Sequence, residues 1–205
     1  MPTINTLIFD FGDVFINLDK QGALQNALDL FELEDFPEDL IAINTLYEQG
    51  LMSTEEFLEF YTDNFPKLSK AQIIDAWNYI LKDFPKERLA FIKQLAKDSK
   101  YKLILLSNTN DLHINWIKEH VAFYEEFKAC FHEFYLSHDI NLRKPNADIY
   151  EFVLNQNQLQ PENCLFIDDT KDNTDSASAL GIHVWNIDET QQDVIDLFEI
   201  NKTLF

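Results

Sequence analysis

The chain has 205 residues, 46% hydrophobic and 14% aromatic, with only four glycines and six prolines. That excludes a disordered or low-complexity polymer and fits one large domain, or a core with a small insert. The formal charge of −20 at pH 7 argues against nucleic acid and anionic membranes as partners, and it means that an anionic substrate needs a local cation.

The first apolar run covers about 4–10 and ends abruptly in Asp10, within Leu7-Ile8-Phe9-Asp10-Phe11-Gly12-Asp13-Val14. No basic leader or membrane-length apolar stretch precedes it. Such a run reads as a buried parallel strand. The next 70 or so residues (17–85) are helical in pattern. Leu24, Ala27, Leu28 and Phe31 follow the i, i+3, i+4, i+7 spacing, as do Ile73, Ala76, Trp77 and Ile80. Ser53 with Glu56 and Ser69 with Gln72 form capping boxes, and Pro37 and Pro85 suit first helical turns. A helix carrying Leu89, Ile92 and Ala96 then returns to the core.

From Lys102 the pattern alternates. Strand 102–107 precedes helical segments over about 111–128, and a short strand follows near 134–136. Pro145 opens a helix with Ile149, Phe152 and Val153 on one face. Strand 164–167, a helix near 173–180 ended by Gly181, strand 182–187 and a helix near 190–200 complete the chain. This alternation predicts an α/β fold, a doubly wound parallel sheet with a Rossmann-like core. The core comprises 1–16 and 86–205, and 17–85 forms a small four-helix cap inserted after the first strand, standing over its carboxyl end. Cys130 and Cys164 have neither metal-ligand nor CxxC spacing and read as reduced, buried thiols of a cytoplasmic protein.

Open α/β sheets place ligands at the carboxyl ends of their strands. Three apolar runs here end in polar residues: Asp10, then Ser107-Asn108, then Asp168-Asp169. Asp10 is a candidate nucleophile or metal ligand, with a helix cap as the ordinary alternative. Asp168 and Asp169 repel each other unless a cation compensates them. Facing Asp10 they suit Mg2+, a hard ion that takes one or two carboxylates; solvated loop aspartates are the alternative. Ser107 and Asn108 offer a hydroxyl and backbone N–H groups to phosphate oxygens, or they simply cap a helix. Lys144, held extended before Pro145, can neutralise a phosphate and the carboxylates together, or lie on the surface. Arg143 reads as a surface residue. His113 lies close enough to the second strand tip to face the crevice.

Asp10, Ser107, Lys144 and Asp168-Asp169, in that order on an alternating chain, resemble the four motifs of the haloacid dehalogenase-like hydrolase superfamily. The run from Tyr47 to Phe57, Leu106-Ser107-Asn108-Thr109-Asn110, and Tyr135-Leu136-Ser137-His138-Asp139 followed by Arg143-Lys144-Pro145 are similar to the bacterial α-D-glucose-1-phosphate phosphatase group. That group is related to the phosphatase half of bifunctional epoxide hydrolases. The resemblance implies that Asp10 attacks phosphorus to form an aspartyl-phosphate, that Ser107 and the Asn108 backbone hold the phosphoryl group, and that Lys144 balances charge. It implies Mg2+ on Asp10, the Gly12 carbonyl and Asp169, with Asp168 and Asn173 supporting.

One departure stands out. Phosphatases of this superfamily usually carry an aspartate two residues after the nucleophile as general acid and base, and Gly12 occupies that place. Asp13 follows it, either helping through a water or serving the turn. A sugar 1-phosphate, with its more acidic leaving group, needs less protonation. The expectation is a Mg2+-dependent phosphatase of a small phosphorylated metabolite, probed for specificity by Tyr47, Glu48 and Gln49. The alternatives are a haloacid dehalogenase, which needs no cation, and a non-catalytic binding or regulatory protein on the same fold. Oligomeric state is not legible in the sequence.

Overall fold

A computed structural model describes residues 3–205; Met1 and Pro2, the first two residues of the expected leaderless terminus, lie outside it. Among the described residues five strands form one sheet: β1 (Thr6–Phe9), β2 (Lys102–Ser107), β3 (Glu133–Leu136), β4 (Cys164–Asp168) and β5 (His183–Asn186). All neighbours are parallel, in the order β3-β2-β1-β4-β5. Parallel strands need crossovers that cover both faces, so the central strands must be apolar throughout. β1 is buried at every position, and β4 likewise. Alternate side chains feed two separate cores. Leu7, Phe9, Leu103, Leu105, Leu165 and Ile167 face one, and Ile8, Ile104, Leu106 and Phe166 face the other.

The first core is rich in phenylalanine. Phe11 stacks on Phe127 with centroids 5.2 Å apart, and Phe15 meets the same ring edge-on at 4.9 Å. Pairs of this kind add about 0.5–1.5 kcal/mol beyond area burial. They sit directly beneath the loop that follows β1, and so hold the chain rigid where Asp10 emerges.

Four helices are inserted between β1 and the core helix α5 (Lys86–Asp98): α1 (Lys20–Phe31), α2 (Glu38–Glu48), α3 (Thr54–Asn64) and α4 (Lys70–Asn78). Both capping boxes form at the serines that open α3 and α4. Pro37 and Pro85 sit at the N-cap, one place before the first turn; that position, like N1, leaves the missing N–H without cost. The helices share their own apolar cluster, in which Tyr47 stacks on Phe57 at 4.2 Å. Leu24 departs from the periodicity and is 50% exposed, because this small cluster covers only one side of α1. The two linkers pair as a short antiparallel ribbon. Asn17 N donates to Asp83 O at 2.9 Å, Lys82 N to Asn17 O at 3.0 Å, and Asp19 N to Ile80 O at 2.9 Å. Buried Arg88 ties that ribbon to the core, donating to Phe15 O, Asn17 Oδ1 and Asp193 Oδ2.

The remaining core helices are α6 (Asp111–His120), α7 (Tyr124–Lys128), α8 (Ser137–Ile140), α9 (Ala147–Gln156), α10 (Lys171–Ala179) and α11 (Leu197–Ile200). α9 begins two residues after Pro145, whose peptide bond to Lys144 is cis. The expected helix over 190–200 is broken: Asp193 caps a 3-10 turn at Val194–Asp196 before α11 starts. Cys130 and Cys164 are free and buried, and burial raises both thiols. No helix among the described residues is long and apolar enough to cross a membrane.

Candidate active site

β1 lies between β2 and β4, and the chain reverses direction across the sheet there. Such a switch point opens a crevice at the carboxyl ends of the strands. Asp10 follows β1, Ser107 ends β2 and Asp168 ends β4, so residues far apart in sequence meet. Asp10, Gly12, Ser107, Asn108, Lys144, Asp169 and Asn173 all line one cavity of about 300 Å3. Lys20, Glu48 and Ile80 reach it from the inserted segment.

Lys144 is the electrostatic centre. Its side chain is 1% exposed, and its ammonium lies 2.7 Å from Asp10 Oδ1 and 2.6 Å from Asp168 Oδ2, while donating to Leu106 O at 2.9 Å. Asn108 fixes where this lysine starts, donating to Lys144 O and accepting from Lys144 N, each at 2.9 Å. Burial opposes the ammonium's charge, but the Asp10 and Asp168 carboxylates outweigh it and hold the lysine above its usual range. Asp168 is fully buried and saturated: Thr170 N donates to it at 2.8 Å, and Asn173 Nδ2 lies 3.1 Å from both of its oxygens. It orients Lys144 and Asn173 and does not line the cavity.

Asp10 differs. Burial pushes its carboxyl up to about 7 against the pull of Lys144, with Asp168 and Asp169 adding to the rise. Its buried Oδ1 receives no well-angled hydrogen bond, so Lys144 meets it as an ion contact. Oxygens of Asp10, Asp168 and Asp169 lie within 4.8 Å of one another. With Asp13 the cluster has four carboxylates against two ammoniums, Lys144 and the half-exposed Lys20. An oxygen-only donor set with excess negative charge fits a hard divalent cation.

The loop after β1 explains Gly12 and Asp13. Asp13 takes a left-handed backbone (φ 53), which aspartate tolerates. Its Oδ1 accepts from Leu18 N at 2.8 Å and its Oδ2 pairs with Lys20 at 2.7 Å. Both oxygens are committed to the turn and the insert, and Asp13 does not line the cavity. A Cβ on residue 12 would stand 2.7 Å from Leu18 Cδ1. Leu18 thus fills the space into which a side chain at this position would grow.

Ser107 is buried beside Asp10, with its hydroxyl 3.5 Å from Asn108 O, too long to bind it firmly. Thr109 N is held by Ser137 Oγ at 2.9 Å, and the same oxygen lies 2.6 Å from Glu48 O. Asn141 Nδ2 donates to Gln49 O at 2.8 Å. Gly50, at φ +65, packs so tightly against this junction that a Cβ would sit 2.0 Å from His138 O. Of the three residues expected to probe substrate, only Glu48 reaches the cavity. Tyr47 is buried in the insert's cluster, its hydroxyl accepting from Leu112 N. Arg143 is not the surface residue it resembles: its Nε donates to Glu48 Oε2 at 2.7 Å at the cavity wall. His113 also lines the cavity, with Nε2 3.0 Å from Trp77 O. A carbonyl can only accept, so Nε2 carries the proton; burial pushes this imidazole down to about 4. Sequence alone does not mark Lys20, Arg143 or Ser137, because their partners Asp169, Glu48 and Thr109 lie 149, 95 and 28 residues away.

Residues 4–181 match the model of the haloacid dehalogenase-like hydrolases. A D-ribitol-5-phosphate phosphatase from Bacteroides thetaiotaomicron is 27% identical over 191 residues, 89% of this chain and 91% of that protein. The HAD family enzyme bt-2542 from the same organism, crystallised with magnesium and inorganic phosphate, superposes with a TM-score of 0.82 at 32% identity, covering 95% of this chain and 99% of that one. A HAD-like hydrolase from Porphyromonas gingivalis gives 0.80 at 28% identity, covering 98% of each chain. The ordered strand-end motifs, the cavity they build and these similarities agree: the chain belongs to the haloacid dehalogenase-like hydrolase family.

Proposed function

We propose that this hydrolase is a Mg2+-dependent phosphatase of a small sugar or polyol phosphate, working through Asp10. The carrying observation is the Asp10 carboxylate, buried after β1 in the wall of the cavity, with the Lys144 ammonium 2.7 Å from its Oδ1. In this reading the Ser107 hydroxyl and the Asn108 backbone hold the phosphoryl group and Lys144 balances its charge. An Asp10 oxygen bonds to phosphorus as the bond to the leaving oxygen breaks. The leaving oxygen takes its proton from water, since residue 12 brings no acid. Water then bonds to phosphorus, the bond to Asp10 breaks, and inorganic phosphate leaves. Asp10, Asp169 and the Gly12 carbonyl would hold Mg2+, which would supply charge neutralisation to the transferring group. Asp168 and Asn173 support Lys144 and the loop after β4.

Residues 17–85 act as the cap in this proposal, and 1–16 with 86–205 as the catalytic core. The substrate class is supported by the relative that acts on D-ribitol 5-phosphate and by a cavity of about 300 Å3, at the small end for ligand sites. The Glu48–Arg143 pair offers both a donor and an acceptor to hydroxyl groups. Dehalogenase chemistry needs no cation and would leave the acidic cluster uncompensated. The test is phosphate release from a panel of sugar, polyol and nucleoside phosphates with Mg2+, repeated with EDTA and with Asp10→Asn. Turnover confined to small sugar or polyol phosphates, and lost in both controls, is expected. Unchanged turnover in Asp10→Asn sinks the nucleophile, and full turnover in EDTA sinks the metal.

A further inference from the structure

We propose that Lys20 is a cap-borne counter-ion that competes with the divalent cation for Asp169, so that metal loading loosens the start of the cap's first helix. The inference rests on the phosphatase reading only in taking Asp169 as a metal ligand. Lys20 is the first residue of α1, where the chain has just left the core. Its ammonium reaches back to Asp169 Oδ2 at 2.5 Å and Asp13 Oδ2 at 2.7 Å. Both carboxylates have side chains only 7% exposed, whereas the lysine's is 48% exposed. Four carboxylates here (Asp10, Asp13, Asp168, Asp169) face two ammoniums, Lys144 and Lys20, and the cluster stays net anionic.

The two ammoniums are not equivalent. Lys144 is enclosed on every side and held at its backbone by Asn108. Lys20 stands at the edge of the cavity on a flexible four-carbon stem, half in solvent. A divalent ion bound to Asp169 carries twice its charge and binds carboxylate oxygens at about 2.0–2.1 Å. Two cations on one carboxylate repel, and the mobile monovalent one yields. Asp13 Oδ2 alone then holds Lys20. Beside this exchange Leu18 N still donates to Asp13 Oδ1 at 2.8 Å and Arg88 still holds Asn17 Oδ1, so the linker itself stays in place; the remaining ties lie farther off. Ser137 holds Glu48 O, Asn141 holds Gln49 O and His113 holds Trp77 O, all at the ends of α2 and α4. Metal loading therefore loosens one edge of the cap, the start of α1, and leaves the opposite edge docked.

The test is a calorimetric titration of Mg2+ into the full chain, stripped beforehand with EDTA, for wild type, Lys20→Met and Lys20→Arg. Hydrogen exchange of the Gly22 and Ala23 amides, which close the first turn of α1 on Asp19, is followed with and without Mg2+. Loss of the competing charge is expected to tighten Mg2+ binding in Lys20→Met about tenfold, and at least threefold, while Lys20→Arg binds like wild type. Mg2+ is expected to speed exchange at Gly22 and Ala23 in wild type and leave it unchanged in Lys20→Met, where the tie is already gone. Binding by Lys20→Met that is less than threefold tighter, equal or weaker overturns the competition. So does Lys20→Arg binding as tightly as Lys20→Met, because charge is then not the cause. Exchange unaffected by Mg2+ in wild type overturns the link to the cap. A wild type that takes up no Mg2+ overturns the phosphatase reading as well, whereas normal uptake with an indifferent Lys20→Met overturns this inference alone.

Discussion

Lys144→Met removes the cation on which the buried carboxylates depend. The replacement keeps the length and apolar stem of the side chain and deletes its charge. The Lys144–Asp168 pair is 1% and 0% exposed, and Asp10 contributes a side chain only 12% exposed. These exposures place the cluster with buried ion pairs, where removing one partner costs about 3–5 kcal/mol, and not with surface pairs worth about 0–1 kcal/mol. Leu106 O and Asp168 Oδ2 lose a donor at the same time. For a chain of this size each kcal/mol lowers the melting temperature by about 2–4 °C, so a fall of roughly 6–20 °C is expected. The assay is thermal unfolding followed by circular dichroism in EDTA, so that no metal ion masks the loss. Phosphate release should fall at least a hundredfold in the same variant. A melting temperature within 2 °C of wild type would refute the reasoning, because the carboxylates would then be solvated or protonated at no cost and Lys144 would not hold them together.

Gly50→Ala should destabilise the protein by more than about 2 kcal/mol in urea unfolding, since it combines a left-handed backbone with a Cβ 2.0 Å from His138 O; a cost under 0.5 kcal/mol would show that the junction yields freely. His113 makes stability pH-dependent. Its imidazole is held neutral down to about 4, whereas the unfolded chain takes the proton near 6.5. The contribution is therefore complete above pH 6.5 and is lost as pH falls from 6.5 towards 4. The ring lines the cavity, where water relieves part of the cost, so about 1–3 kcal/mol is at stake. Urea unfolding at pH 7.5 and 4.5 should show wild type losing more stability than His113→Gln by that amount, and equal losses would contradict the assignment.

What was legible in the chain was whatever local pattern and strand topology together determine. Asp10, Ser107 and Asp168 could be brought together from sequence because each ends an apolar run. Parallel strands align such ends at one edge of the sheet. The capping boxes at Ser53 and Ser69 were legible for the same reason: donor and acceptor lie three residues apart. Arg143 was not, because a lone arginine before Lys144 carries no sign of Glu48, 95 residues earlier. Lys20 was not either, since its partner Asp169 lies 149 residues on. Both pairs exist only because the insert folds back on the sheet, and that docking depends on close contacts such as Gly50 against His138 O. The division of labour follows. Strand ends place Asp10, Ser107 and Asp168, while the buried cation Lys144 comes from the loop between α8 and α9. The insert supplies an ammonium at Lys20 and a carboxylate at Glu48 to the cavity wall, and a carbonyl at Trp77 that holds His113 there. Substitutions in the insert can thus reshape the cavity wall while the carboxylates and Lys144 stay fixed by the core.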